Sequence, residues 1–108
     1  MNIDVKKGGQ KVIVSVTGRI DTISAPDFQQ KIEEILAQGE KWIVVDLEKL
    51  EYVSSAGLRS VLIGAQKAKA AQGSLSCCAL QGMVKKVFEI SGFGAMLPIF
   101  DSVEAALK

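Results

Sequence analysis

Trp42-Ile43-Val44-Val45-Asp46-Leu47, followed shortly by Tyr52-Val53-Ser54-Ser55-Ala56-Gly57-Leu58, is the stretch on which the fold class turns. Its first part is nearly continuous apolar sequence, the pattern of a strand covered on both faces. Leu50 and Tyr52-Val53 add one more apolar anchor, and two serines then open a helical pattern. In that pattern Leu58, Val61, Leu62 and Ala65 recur at +3, +4 and +7, one face of a helix. A buried strand that feeds a helix is the unit from which parallel sheets with packed helices are built.

Upstream, Lys11-Val12-Ile13-Val14-Ser15-Val16-Thr17 alternates around β-branched residues and reads as a strand. Ile3 to Val5 pairs with it through the hairpin connection Lys7-Gly8-Gly9-Gln10. Ser24 is expected to cap the first helix, with Pro26 in its first turn and Asp27 at the capping-box position. Phe28, Ile32, Ile35 and Leu36 form that helix's inner face, and Gly39 closes it.

Downstream, Gly73 marks the end of the second helix and Ser74 to Leu80 is a strand. Met83 to Ile90 is a short helix with Val84, Val87 and Phe88 inward, stopped at Gly92. Met96 to Phe100 reads as a last strand, at an edge because of Pro98. Asp101-Ser102-Val103-Glu104 then starts a terminal helix. The expected fold is α/β: one domain over residues 1–108, with a mixed, largely parallel sheet of about five strands opening on a hairpin, and about four helices.

Composition narrows the function classes. Thirteen basic and twelve acidic residues leave a formal charge of +1, too little to draw nucleic acid or an anionic membrane. There is no histidine, which removes every imidazole-based triad and every His-containing zinc or haem site. Cys77 and Cys78 are adjacent, so in a strand they point to opposite faces and cannot bridge; nor do two thiols complete a tetrahedral metal site. Neither a metal nor a cofactor is expected. The start lacks a secretory signal and no apolar run approaches the roughly 20 residues of a membrane helix, so a cytoplasmic location is expected.

In such folds, functional surface gathers where strands run into helices. Two junctions qualify: Gly18-Arg19-Ile20-Asp21-Thr22 and Tyr52 to Leu58. Read as residues alone, one of Ser54 and Ser55 caps a helix, and Asp21 is a turn carboxylate beside Thr22 and Ser24. A serine hydrolase is disfavoured, because neither serine has the glycine two residues before it that a G-x-S-x-G elbow requires, and no histidine is present to act as base. Arg59 stands in the first turn of its helix, where the dipole disfavours a cation.

Tyr52-Val53-Ser54-Ser55-Ala56-Gly57-Leu58 resembles the signature turn of the STAS domain, as found in bacterial anti-sigma factor antagonists. Gly18-Arg19-Ile20-Asp21 is similar to the family's Gly-x-Leu-Asp element, and Val44-Val45-Asp46-Leu47 with Leu50 to its central strand. Val84-Lys85-Lys86-Val87-Phe88 with Gly92, and Ser102 to Leu107, resemble its last two helices. In many members the turn reads apolar-Asp-Ser-Ser/Thr-Gly-Leu, and the serine after the aspartate is phosphorylated by a partner kinase. The resemblance places Ser55 on that serine, Ser54 on the aspartate and Ala56 on the Ser/Thr; Ser54 is the second choice as acceptor.

It further implies a non-enzymatic regulator, monomeric when free. Its unphosphorylated form binds an anti-sigma factor with serine-kinase activity and releases the sigma factor, and a protein serine phosphatase reverses the modification. The implied partner-facing residues are Asp21, Thr22, Ser24, Ser54, Ser55, Ala56, Gly57, Leu58 and Arg59. The alternative within the family is an interaction module of a transporter or larger signalling assembly, without phosphorylation switching.

Overall fold

The alternating stretch around Val14 becomes the spine of a six-stranded sheet in the computed structural model, which describes residues Met1–Lys108. β1 (Asn2–Gly8) and β2 (Lys11–Ile20) form the expected hairpin, antiparallel from Asn2↔Thr17 to Gly8↔Lys11. Then come α1 (Ala25–Ala37), β3 (Trp42–Asp46), β4 (Leu50–Val53), α2 (Ser55–Ala70) and β5 (Ser74–Cys78). The chain closes with α3 (Gly82–Ile90), a 3-10 turn at Phe93–Ala95, β6 (Ile99–Phe100) and α4 (Val103–Leu107). The strands lie in the order β1-β2-β3-β5-β6, and every pairing after the hairpin is parallel.

β4 is the strand that the apolar pattern hides. β2 is long and shifts register between Gly18 and Arg19, where Gly18 adopts φ +99. Such a left-handed conformation suits a residue without a Cβ. Val12 to Ser15 pair with β3 and Gly18 to Ile20 pair with β4, the shift falling within the second pairing. The chain between them detours through a turn closed by Leu50 N–H donating to the Leu47 carbonyl at 3.1 Å. One strand thus has two successive parallel neighbours, and the second delivers the chain to Ser54.

The sheet's main face carries the larger core. Val12, Val14 and Val16 of β2 meet Phe28, Ile32 and Ile35 of α1, Val61 of α2, and Val84 and Phe88 of α3. α4 covers the reverse face, where Val44, Cys78, Ala79 and Ala106 cluster. Cys77 belongs to the first face and Cys78 to the second, as strand alternation requires. Both thiols are free and buried. Burial raises the pKa of each, and for Cys78, pushed up to about 12, the charges of Asp46 and Glu48 add to it. No helix is long and apolar enough to cross a membrane.

Three local expectations change. α2 buries Gly57, Ser60, Val61, Gly64 and Ala68, so its innermost stripe consists of small residues, with Leu58, Leu62 and Ala65 flanking it half-buried. Small side chains let α2 come close: a Cβ on Gly64 would sit 3.3 Å from both Ile32 Cγ2 and Leu75 Cδ1. The final strand shrinks to Ile99–Phe100, because Phe93–Ala95 coil into the 3-10 turn. Gly73 does not provide the left-handed residue that ends α2; Gln72, at φ 67, does.

Gly73 is instead required for space. The Ser74 N–H donates to the Lys41 carbonyl at 2.9 Å, and a Cβ on Gly73 would lie 2.0 Å from that same oxygen. Gly73→Ala must therefore push the start of β5 away from β3. Its expected cost is about 2–3 kcal/mol, the upper range for overpacking, read from the urea midpoint.

Candidate functional site

The two junctions converge at the end of β2. Ile20, its last residue, is fully buried, and its carbonyl accepts the Ser54 N–H at 2.9 Å. Gly57 lies against the same group: a Cβ there would stand 2.5 Å from the Ile20 carbonyl oxygen and 2.8 Å from Val53 Cγ2. Only a glycine lets the first turn of α2 seat so closely on β2.

This seating separates the two serines. Ser54 has extended backbone (φ −89, ψ 174) and is the N-cap of α2, its Oγ accepting the Gly57 N–H at 3.1 Å. Its carbonyl accepts the Leu58 N–H at 2.8 Å, so Ser54 is committed through its amide, hydroxyl and carbonyl. Ser55, the first helical residue, is exposed and its hydroxyl enters none of the side-chain hydrogen bonds of this turn. α2 carries no acidic residue in its first turn, leaving the positive end of its dipole without a negative side chain.

The neighbouring turn, between β2 and α1, is tied by Asp21 rather than capped by Ser24. Asp21 Oδ1 accepts the N–H groups of Ile23 at 3.1 Å and Ser24 at 3.0 Å, an Asx turn. Ser24 Oγ faces backwards, accepting the Asp21 N–H at 2.9 Å and lying 3.1 Å from the Arg19 carbonyl. Ser24 therefore supplies no side-chain cap to α1, and the capping box expected with Asp27 does not form. The backward bonds win because they close the tight turn that β2 enters.

Electrostatics follow these bonds. The Ser24 N–H is the main group holding the Asp21 carboxyl below its usual range, with the Ser24 hydroxyl, the Ile23 N–H and Arg19 adding to it against partial desolvation. Arg19 Nε lies 3.4 Å from Asp21 Oδ2, and its guanidinium stacks 4.6 Å from the centre of the Tyr52 ring. Further along, the Lys67 ammonium bonds Glu33 Oε2 at 2.7 Å and, with Gln29, lowers the pKa of Glu33.

Beside the serine turn a shallow groove of about 620 Å³ runs between α1 and α2, its walls including Thr22, Gln29, Ala56, Arg59 and Ile63. Of the residues singled out from sequence, Thr22, Ser55 and Arg59 are exposed, and Asp21, Ser24, Ser54, Ala56 and Leu58 are half-buried. Gly57 is buried and acts in packing. Sequence reasoning passed over Ile23, which is 88% exposed at the tip of the Asp21 turn, and the α1 wall of the groove. An isoleucine inside a run of turn residues was the available signal for the first. No group of three or more Cys, Asp or Glu side chains is gathered to hold a metal ion.

The sequence profile described as STAS domain matches residues 2–106. BtrV of Bordetella bronchiseptica, named as an anti-sigma factor antagonist, is 37% identical over 106 residues, covering 98% of this chain and 91% of that protein. The anti-sigma-B factor antagonist of Bacillus subtilis is 29% identical over 109 residues, covering 100% and 98%. A Thermotoga maritima crystal structure, described as an anti-sigma factor antagonist, superposes with a TM-score of 0.91 at 18% identity over 97% of this chain and 91% of that one. The Bacillus cell fate determinant SpoIIAA in its phosphorylated form superposes with a TM-score of 0.75 at 22% identity over 98% and 96%.

The division between the serines predicts unequal stability effects. Ser54→Ala loses the cap and should cost about 1 kcal/mol, whereas Ser55→Ala should stay within about 0.5 kcal/mol of the parent in urea denaturation. Asp21 predicts a pH effect. A carboxyl depressed in the folded state adds stability that is complete above its unfolded pKa and is lost as pH falls through the folded value. Asp21→Asn keeps the acceptor but not the titration, so thermal melts from pH 6 down to about pH 3 should fall less steeply for the variant than for the parent.

Proposed function

The chain belongs to the STAS domain family, and from that premise we propose that it is an anti-sigma factor antagonist switched off by phosphorylation of Ser55. The observation that carries this reading is the difference between the paired serines: Ser54 is consumed in the helix cap, while Ser55 offers an exposed hydroxyl at the helix start. The names of the Bordetella and Bacillus relatives support the antagonist role. The phosphorylated form of SpoIIAA, a protein of the same fold, supports a phosphorylation switch.

In this reading the unmodified chain binds an anti-sigma factor of serine-kinase type and so frees the sigma factor. The surface that docks comprises the Asp21–Ser24 turn, the exposed side of the Ser54–Arg59 turn and the groove beside them. The kinase then transfers the γ-phosphoryl group of its own ATP-Mg to Ser55 Oγ: the new P–O bond forms as the bond to ADP breaks, and the serine proton leaves. A protein serine phosphatase hydrolyses the phosphoserine and restores binding. The chain is the substrate and performs no catalysis; it acts in the cytoplasm, as a monomer when free, without nucleic acid or membrane.

The physics of the switch is local. A phosphate at a helix N-terminus meets free backbone N–H groups and the positive dipole end, so it is accommodated without unfolding. It adds about −1.5 to −2 of charge. A partner surface fitted to neutral hydroxyls must then desolvate an unpaired dianion, which opposes association.

Incubation with ATP-Mg and a cognate kinase should add one phosphate, mapped by mass spectrometry to Ser55. Pull-downs should recover the kinase with the parent and with Ser55→Ala, and Ser55→Asp should bind at least about tenfold more weakly, a loss of roughly 1.4 kcal/mol. Equal recovery by all three forms, with no phosphate on the turn, would favour the unswitched interaction module instead.

A further inference from the structure

We propose that Arg59 is the internal counter-ion of phosphorylated Ser55, captured by the phosphate within the first turns of α2. The inference rests on the Ser55 switch and adds a second moving part to it. Residues 55 and 59 are four apart on a continuous helix and both are exposed. Side chains at that spacing share one face, with Cβ atoms about 6 Å apart. A phosphate on Ser55 Oγ and the planar fork of an arginine bridge such a gap and form charge-assisted, bidentate hydrogen bonds. The order also fits, since an anion placed N-terminal to a cation at this spacing is the favourable arrangement.

The surrounding charges leave Arg59 as the available cation. Arg19, at the end of β2, is engaged by Asp21 and stacked on Tyr52. On the α1 side, Glu33 is held by Lys67 and Gln29. Asp27 of α1 and Glu51 of β4 are acidic and exposed. Arg59 enters none of the four ion pairs of the chain.

Arg59 lines the groove between α1 and α2, so before modification its guanidinium is free to donate to a carboxylate or carbonyl of the docked partner. Phosphorylation then does two things together: it places a dianion on the interface and withdraws the cation beside it. Arg59 is a positioning residue in this device.

The test needs no kinase. Phosphoserine is installed at position 55 during translation, and the phosphate is titrated by phosphorus NMR in the parent, Arg59→Ala, Arg59→Lys and Arg19→Ala backgrounds. Capture by Arg59 predicts a second phosphate ionisation about 0.3–0.6 pH unit lower in the parent than in Arg59→Ala, with Arg59→Lys between them and Arg19→Ala like the parent. Arg59→Ala should lower the melting temperature of the phosphorylated chain and not that of the unmodified chain; a merely structural arginine would lower both. Matching titrations for the parent and Arg59→Ala, or an equal shift in Arg19→Ala, would overturn the proposal. Its failure is separable from that of the switch itself: a chain that no kinase modifies leaves this titration intact, and a flat titration leaves kinase modification intact.

Discussion

The candidate site hangs from one carbonyl oxygen, that of Ile20. It closes β2, receives the Ser54 N–H at 2.9 Å, and stands where a Cβ on Gly57 would come within 2.5 Å. A buried carbonyl must find a donor, and here the donor comes from the turn that starts α2. The result is that the β2–α1 turn and the β4–α2 turn are tied to the same strand end.

The hydrogen bonds that tie this edge suit the proposed switch, which changes charge and not shape. Asp21 and Ser24 tie one turn with reciprocal bonds, and Ser54 spends its polar groups on the other. What is left outward is small and specific: Thr22, Ile23, the Ser55 hydroxyl and Arg59. An apolar side chain, two hydroxyls and a cation on a hydrogen-bonded platform would, in the proposed role, leave little to order on binding. The proposed phosphate at Ser55 would alter the potential there far more than the backbone.

Much of the fold is legible in the sequence. The alternation of β2, the continuous apolar run of β3 and the helical spacing of Phe28, Ile32 and Ile35 each reflect one buried face and one period, so they read correctly. β4 was not legible as a strand, because four residues with a half-buried tyrosine show no period, and it exists only through its parallel pairing with the end of β2. The small-residue stripe of α2 was missed for a related reason. Leu58 and Leu62 look like the core face, yet close approach to α1 and β5 rewards Gly64 and Ala68.

The order of the elements other than β4, the charge balance, the lack of histidine and the presence of a serine pair before a helix were determined by sequence alone, since each is a local or compositional property. Which turn residue ties and which is tied, Asp21 or Ser24, was decided only in three dimensions. So was the assignment of cap and exposed hydroxyl between Ser54 and Ser55. Two adjacent serines have the same propensities, and no local rule separates them. They differ because Ser54 is pinned to a carbonyl on a distant strand, which turns its hydroxyl back onto Gly57 and leaves that of Ser55 facing solvent.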